Sequence, residues 1–372
     1  MKHKAESLVS LIHDLSLFIK GYVHHDYPDS ILKNKLTDEI PVFCYHHIGR
    51  QEFEDCLLHL KRNGYESLTA DRYEKALKER SLVREKSVVI TFDDGLRDVY
   101  DVAYPLLKKY QFKAVVFLLP GWMDEPGILT WDQTKEMHES GEIDFQSHSM
   151  THPAIFISPK LIDFYQPKHA RSTMWNVPLV EKKNGNGKRT MPPLGSPLYE
   201  YSSRFSDAKQ FYPDINIQQS CIEHVVKNGN EAFFTNRHWR RELIAIVKQL
   251  KKTDSPDIRF ESPGDQKAEI LKEIVQSKRT IELNLSNKIV RHFAWPWNKT
   301  GLLTAKLLAE NDYKTAFRGM VPGNFKNEGA HIHMVKRING DFIKCLPGEG
   351  RQTFWSVLTY KILRRLKSGP TY

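Results

Sequence analysis

Ser87 to Gly95 reads SVVITFDDG, and no other stretch constrains the fold as tightly. The run Ser87–Phe92 is apolar and β-branched, with the length of a strand buried on both faces. It stops at two adjacent carboxylates, Asp93 and Asp94. Charges at the end of a buried strand are costly unless something uses them. Gly95 permits the sharp turn that sets both side chains at one strand end. Further on, His148 and His152 stand four apart, a spacing that puts two imidazoles on one side of a helical turn or tight loop. Two histidines and one aspartate suit a divalent metal with an open coordination position.

The segments around this run set the fold class. Strands are expected at Ile40–Tyr45, Lys113–Leu118, Ile143–Gln146, Val290–Trp295 and Tyr313–Arg318. Helical spacing covers Phe53–Asn63, Asp71–Lys78, Val99–Tyr110, Gln266–Leu285 and Leu302–Glu310. Thr130 to Gln133 is a capping-box pattern opening a helix that ends near Gly141. Strands alternating with helices imply parallel βα units. The rhythm lapses between Ala154 and about Arg259, where Pro, Asn, Lys and Tyr are frequent and only Trp239–Leu250 looks helical. That stretch reads as an insertion at one end of a barrel, and long insertions commonly shape binding sites. The expected division is a helical segment at 1–39, a barrel from 40–153 and 260–345, the insertion at 154–259, and a basic amphipathic helix in 346–372.

Charge bears on partners and location. The formal net charge of +10 over 372 residues favours anionic partners, but no nucleic-acid motif is present. Near the N-terminus, Leu8, Leu11, Ile12, Leu15, Phe18, Ile19 and Tyr22 form a helical stripe interrupted by His13, Asp14 and Lys20. This lacks the uninterrupted apolar core of a signal peptide or a membrane span, so a cytoplasmic protein is expected. Cys44, Cys56, Cys221 and Cys345 show neither metal nor disulfide spacing. At the other end, Trp355, Leu358, Ile362, Leu363 and Leu366 can share one face of a helix carrying Lys361, Arg364, Arg365 and Lys367. Such a helix suits either a barrel cap or peripheral contact with an anionic membrane surface.

TFDDG at Thr91–Gly95 and HSMTHP at His148–Pro153 resemble the motifs of the polysaccharide deacetylase family, the NodB homology domain of carbohydrate esterase family 4. IPVFCYHHI, KRNGYESL and FAWPW extend the likeness. It covers about 40–156 and 278–338. The resemblance implies a distorted (β/α) barrel with its site at the C-terminal strand ends. It implies Asp93 as the catalytic base and Asp94, His148 and His152 as ligands of one divalent metal ion, zinc first among them. A metal-activated water would attack an acetyl carbonyl while Asp93 takes its proton. The implied function is removal of an N-acetyl group from an amino sugar of a glycan or glycan precursor. Alternatives are an O-acetyl esterase, a small acylamide hydrolase, or a degenerate barrel that binds sugar without turnover.

Two departures from the family pattern stand out. Ala294 occupies a position where many members have an arginine two residues before the proline of FAWPW, so the group orienting Asp93 is unidentified. The late histidine expected as general acid is His331 or His333, with His333 favoured. Arg337 lies in KRI, a late position shared with many relatives, and is a structural candidate. Trp295, Pro296 and Trp297 are candidate sugar contacts, with core packing the competing role for the aromatics. His46 and His47 are expected to line the barrel mouth, with Cys44 inside.

Overall fold

The computed structural model describes residues 15–16, 18–37, 39–79, 86–170, 177–181, 189–253, 258–319 and 334–368. The chain divides into two compact units. The first comprises Met1–Met150, Ile274–Asn298 and Leu308–Tyr372; the second comprises Thr151–Glu273 and Lys299–Leu307.

Seven parallel strands close on themselves in the first unit. They are β1 (Val42–Tyr45), β2 (Ser87–Phe92), β3 (Ala114–Leu118), β4 (Ile143–Ser147), β5 (His292–Ala294), β6 (Thr315–Gly319) and β7 (Val335–Asn339). Each pairs with the next, and β1 closes the ring by pairing with both β2 and β7. The short strand Glu66–Ser67 adds to the start of β2. Closure explains the sequences: β2 and β3 are covered on both faces, so they are buried throughout instead of alternating. Val42, Val89, Val115, Phe117, Ala294, Phe317 and Val335 form one cluster, to which helix Ala70–Lys78 adds Ala70, Tyr73 and Ala76.

Register fixes what lies at the C-terminal rim. Tyr45 pairs with Phe92, which sets His46 opposite Asp93. Leu118 pairs with Ser147, the residue before His148, and Ser147 pairs with Phe293. Gly319 pairs with Arg337. The expected capping box at Thr130 forms, and Gly141 ends that helix at φ 77°. The expected helix Val99–Tyr110 instead opens as a π-helix, Val99–Ala103, before Tyr104–Tyr110. Pro105 has no N–H to continue the i→i−4 ladder, and the turn in front of it widens.

Around the barrel, residues 18–23 are helical, and Tyr22 packs its ring 4.9 Å from Phe354. The C-terminal helix runs Phe354–Ser368. It docks through Phe354, Val357 and Leu358, while Trp355, Leu363 and Leu366 are 46–60% exposed. The broad face expected to unite Trp355, Leu358, Leu363 and Leu366 is therefore split between core and solvent. Phe354 stacks on Phe342 because the helix sits on the turn Gly340–Cys345, not on the strands. Lys361 and Arg364 both reach Asp341 Oδ2, at 2.6 and 3.1 Å.

The second unit has its own core, in a stretch where the sequence had shown only Trp239–Leu250 as helical. Strands Ala154–Phe164 and Pro197–Ser203 pair antiparallel, with bulges. Helix Ile215–Lys227 is capped by Asp214 and packs against helix Trp239–Thr253 through Ile217, Cys221, Val225, Leu243 and Val247. The three apolar positions of the first helix are spaced i, i+4, i+8, which is a helical stripe. Polar Asn and Gln neighbours had masked it.

Candidate active site

Asp93 follows β2 and is 2% exposed. Arg337, also 2% exposed, comes from β7 and grips it with both terminal nitrogens: Nη1 donates to Oδ1 and Nη2 to Oδ2, each at 2.6 Å. Nη1 also reaches Thr91 Oγ1 at 3.3 Å, and the guanidinium lies 5.5 Å from the Phe117 ring centroid. Burial by itself raises a carboxyl's pKa, but the Arg337 charge and its two hydrogen bonds outweigh it and hold Asp93 well below the usual carboxylate range. Cys44 Sγ donates to Asp93 Oδ2 at 3.6 Å, and burial pushes that thiol far up.

Asp94 adopts a left-handed backbone at φ 70°, followed by Gly95 at φ 64°. A Cβ on Gly95 would come within 3.0 Å of the Leu118 side chain, so the turn is closed to larger residues. Asp94 Oδ1 accepts no hydrogen bond. Burial first, and the neighbouring Asp93 charge second, push the Asp94 carboxyl well above its ordinary value. His148 Nδ1 lies 2.9 Å from the Ala294 carbonyl, so that ring nitrogen carries the proton and donates. Nε2 then presents its lone pair 3.4 Å from Asp94 Oδ1. Burial pushes the His148 imidazole down to about 4, partly opposed by Asp93, and so keeps it neutral near pH 7.

One ligand atom from each of Asp94, His148 and His152 lies within 4.8 Å of the others, and all three residues are buried. A carboxylate oxygen with no hydrogen bond beside a neutral imidazole anchored through its far nitrogen is a donor set that fits a divalent cation. Ser149 and His152 also take left-handed backbone, at φ 72° and 55°. Such outliers among non-glycine residues are costly and cluster where function holds them.

The structure answers the question that Ala294 raised. Its side chain joins the barrel core, its carbonyl orients His148, and the arginine that meets Asp93 arrives from β7. A signal was present in the sequence. Val335 and Arg337 share one face of β7, and Val335 points into the core. An arginine aimed inward needs a buried carboxylate.

The remaining candidates are placed differently. His331 and His333 lie outside the described residues. Trp295 is 1% exposed and meets Phe293 edge to face at 5.8 Å, so its ring is core and offers no open face to a sugar. Pro296 is buried, and Trp297 is half-buried at φ 60°. His46 lies beside the buried ion pair, with Nε2 3.9 Å from Asp93 Oδ2. His47 instead faces Asp98, with Nδ1 3.5 Å from Oδ2.

Fold and site together define a parallel (β/α) barrel with a carboxylate–imidazole centre at its C-terminal rim. The chain matches, over residues 81–253, the family model described as polysaccharide deacetylase. It is 36% identical over 129 residues to YxkH of Bacillus subtilis, spanning 32% of this chain and 46% of that protein. It is 36% identical over 104 residues to a poly-β-1,6-N-acetyl-D-glucosamine N-deacetylase of Staphylococcus epidermidis, covering 27% of this chain and 36% of the relative. The match to the enzyme of that name from Escherichia coli K12 is 29% over 105 residues, 24% of this chain and 16% of the relative. The chain thus spans less than half the length of these curated relatives. Among solved structures, the deacetylase domain of BpsB from Bordetella bronchiseptica superposes with a TM-score of 0.50 at 15% identity, covering 80% of this chain and 94% of that one, and so shares the fold.

Proposed function

We propose that this protein is a metal-dependent hydrolase that removes the N-acetyl group from an amino sugar of a glycan or glycan precursor. The observation that carries the reading is the buried Asp93–Arg337 pair beside the Asp94, His148 and His152 donor set. The names of the relatives support an N-acetylated glucosamine polymer as the first substrate to try.

Asp94, His148 and His152 would hold one divalent ion, with zinc the first candidate. Such an ion supplies Lewis acidity for attack of water on an acyl carbon. Asp93 is the proton acceptor. Arg337 keeps it ionised and fixes the plane of its carboxylate, leaving Oδ2 3.9 Å from Nε2 of both His46 and His148. A base held so far below neutral pH stays deprotonated throughout the working range, at the expense of proton affinity. His333 is assigned the protonation of the leaving amine, since an amide anion is a poor leaving group. The stretch 154–259 is assigned to substrate selection, and the exposed C-terminal helix residues to peripheral contact with an anionic membrane surface. No helix among the described residues is long and apolar enough to cross a membrane.

Acetate release decides the matter. Purified protein is incubated with β-1,6- and β-1,4-linked N-acetylglucosamine oligomers and with an O-acetylated sugar. Chelator-sensitive acetate from an N-acetylated oligomer is expected. Release from the O-acetyl sugar alone would replace the amidase reading with an esterase one.

A further inference from the structure

The loop carrying both histidines is held by one helix that no part of the mechanism uses. Helix Pro263–Asn284 places Glu273 and Ser277 one turn apart, on one face. Ser277 Oγ lies 2.8 Å from Ser147 Oγ, immediately before His148. Ser147 Oγ also accepts from the Ser149 N–H at 3.2 Å. Glu273 lies at the other end of the loop. Its Oε2 accepts the Thr151 backbone N–H at 2.9 Å, and its Oε1 accepts the Thr151 hydroxyl at 2.7 Å. Glu273 is 7% exposed.

We propose that Glu273 is a positioning residue for the metal centre: by holding both the N–H and the hydroxyl of Thr151, its carboxylate sets where His152 presents its imidazole. The inference rests on the metal-dependent reading above. Three features separate it from an ordinary staple between a helix and a loop. The gripped residue directly precedes a ligand. His152 itself sits at φ 55°, a conformation that a non-glycine residue keeps only when its surroundings over-determine it. The first half of the loop is held by backbone contacts, His148 N–H to the Leu118 carbonyl and Gly121 N–H to the Met150 carbonyl, both at 2.9 Å, and by the Ser147 hydroxyl on the Ser149 N–H. At Thr151 the holding group is a buried carboxylate that grips backbone and side chain together.

The test uses full-length protein stripped with chelator and titrated with Co2+, whose visible absorption reports ligand geometry. Glu273→Ala is expected to weaken Co2+ binding by about 10–100-fold, the usual loss when a group that orients a ligand is removed, and to change the band shape. Glu273→Gln is expected to restore near-wild-type affinity. Its amide oxygen can accept the Thr151 N–H, and its amide N–H can donate to the hydroxyl. Thr151→Val, which keeps the N–H bond and loses the hydroxyl, gives an intermediate loss with the melting temperature of the metal-free protein retained. It carries the test if the alanine variant does not fold. Wild-type affinity and spectrum in Glu273→Ala, or in Thr151→Val where that variant stands in, overturn the proposal while leaving the metal site intact. A glutamine variant as weak as alanine overturns positioning in favour of a simple charge effect. A wild type that binds no Co2+ overturns this inference together with the functional reading it rests on.

Discussion

Replacing Arg337 by methionine removes a charge and two hydrogen bonds from a carboxylate with a side chain only 3% exposed. Breaking a buried ion pair on one side typically costs about 3–5 kcal/mol, because the remaining charge is left uncompensated. The pH dependence identifies the cause. In the wild type, Asp93 has a folded pKa below its unfolded value of about 3.9, so its contribution is present above that pH and lost as pH falls through the folded pKa. Without Arg337, burial dominates and the carboxyl moves above its unfolded value. The variant then pays for an ionised Asp93 at pH 7 and is relieved as acid protonates it. The stability gap between wild type and Arg337→Met should therefore be widest near pH 7 and narrow toward pH 4. Urea midpoints of metal-free protein at several pH values measure it, with Arg337→Lys as a variant that keeps the charge but not the bidentate grip. Acetate release by Arg337→Met should fall by about 10²–10⁴-fold, the range for a lost general base. A gap below about 1 kcal/mol at pH 7, within the range of an exposed pair, would refute the reasoning, as would a gap that does not change with pH.

Asp93→Asn should keep stoichiometric metal and lose most acetate release, whereas Asp94→Asn should lose metal; elemental analysis and turnover separate them, and full restoration of Asp93→Asn by added metal would reverse the roles. At the C-terminal helix, burial would raise the Asp341 carboxyl, but Lys361 and then Arg364 outweigh it and hold it low. Its stabilising contribution is thus present above the unfolded pKa and lost as pH falls through the folded one. Hydrogen exchange in Phe354–Ser368 should accelerate below about pH 4, and Asp341→Asn should remove that acid dependence. Full-length protein should sediment with anionic vesicles at low salt and be released as salt rises; a version truncated before Phe354 that behaves identically would exclude the helix as the attachment.

The parts of this molecule written in apolar periodicity were readable in advance. Ser87–Phe92 and Leu302–Glu310 appear with the bounds expected, because a buried run and an amphipathic stripe leave few alternatives. The Asp94, His148 and His152 set was readable because its members are close in sequence to recognisable turns. What stayed hidden depends on register. That β7 lies beside β1 and β6 cannot be seen in KRI, so the alternation of Val335 and Arg337 could ask for a buried carboxylate but could not name Asp93. His46 reaches Asp93 only because Tyr45 pairs with Phe92. The second unit failed differently: Ile217, Cys221 and Val225 are too sparse among polar residues to outweigh the loop-like composition around them.

Asp93 and Arg337 are 244 positions apart in the chain. At about 5–20 residues per second of synthesis, roughly 12–50 s separate the appearance of the carboxylate from that of its counter-charge. Through that interval β2 has no strand β7 to complete the ring. A nascent chain therefore has every reason to leave Asp93 in water, and its carboxylate becomes a buried anion only when the last strand slots in. The buried ion pair is in this sense a report on completed assembly. A chain cut short before 335 would carry TFDDG and HSMTHP intact and still be unable to keep Asp93 charged in a closed interior.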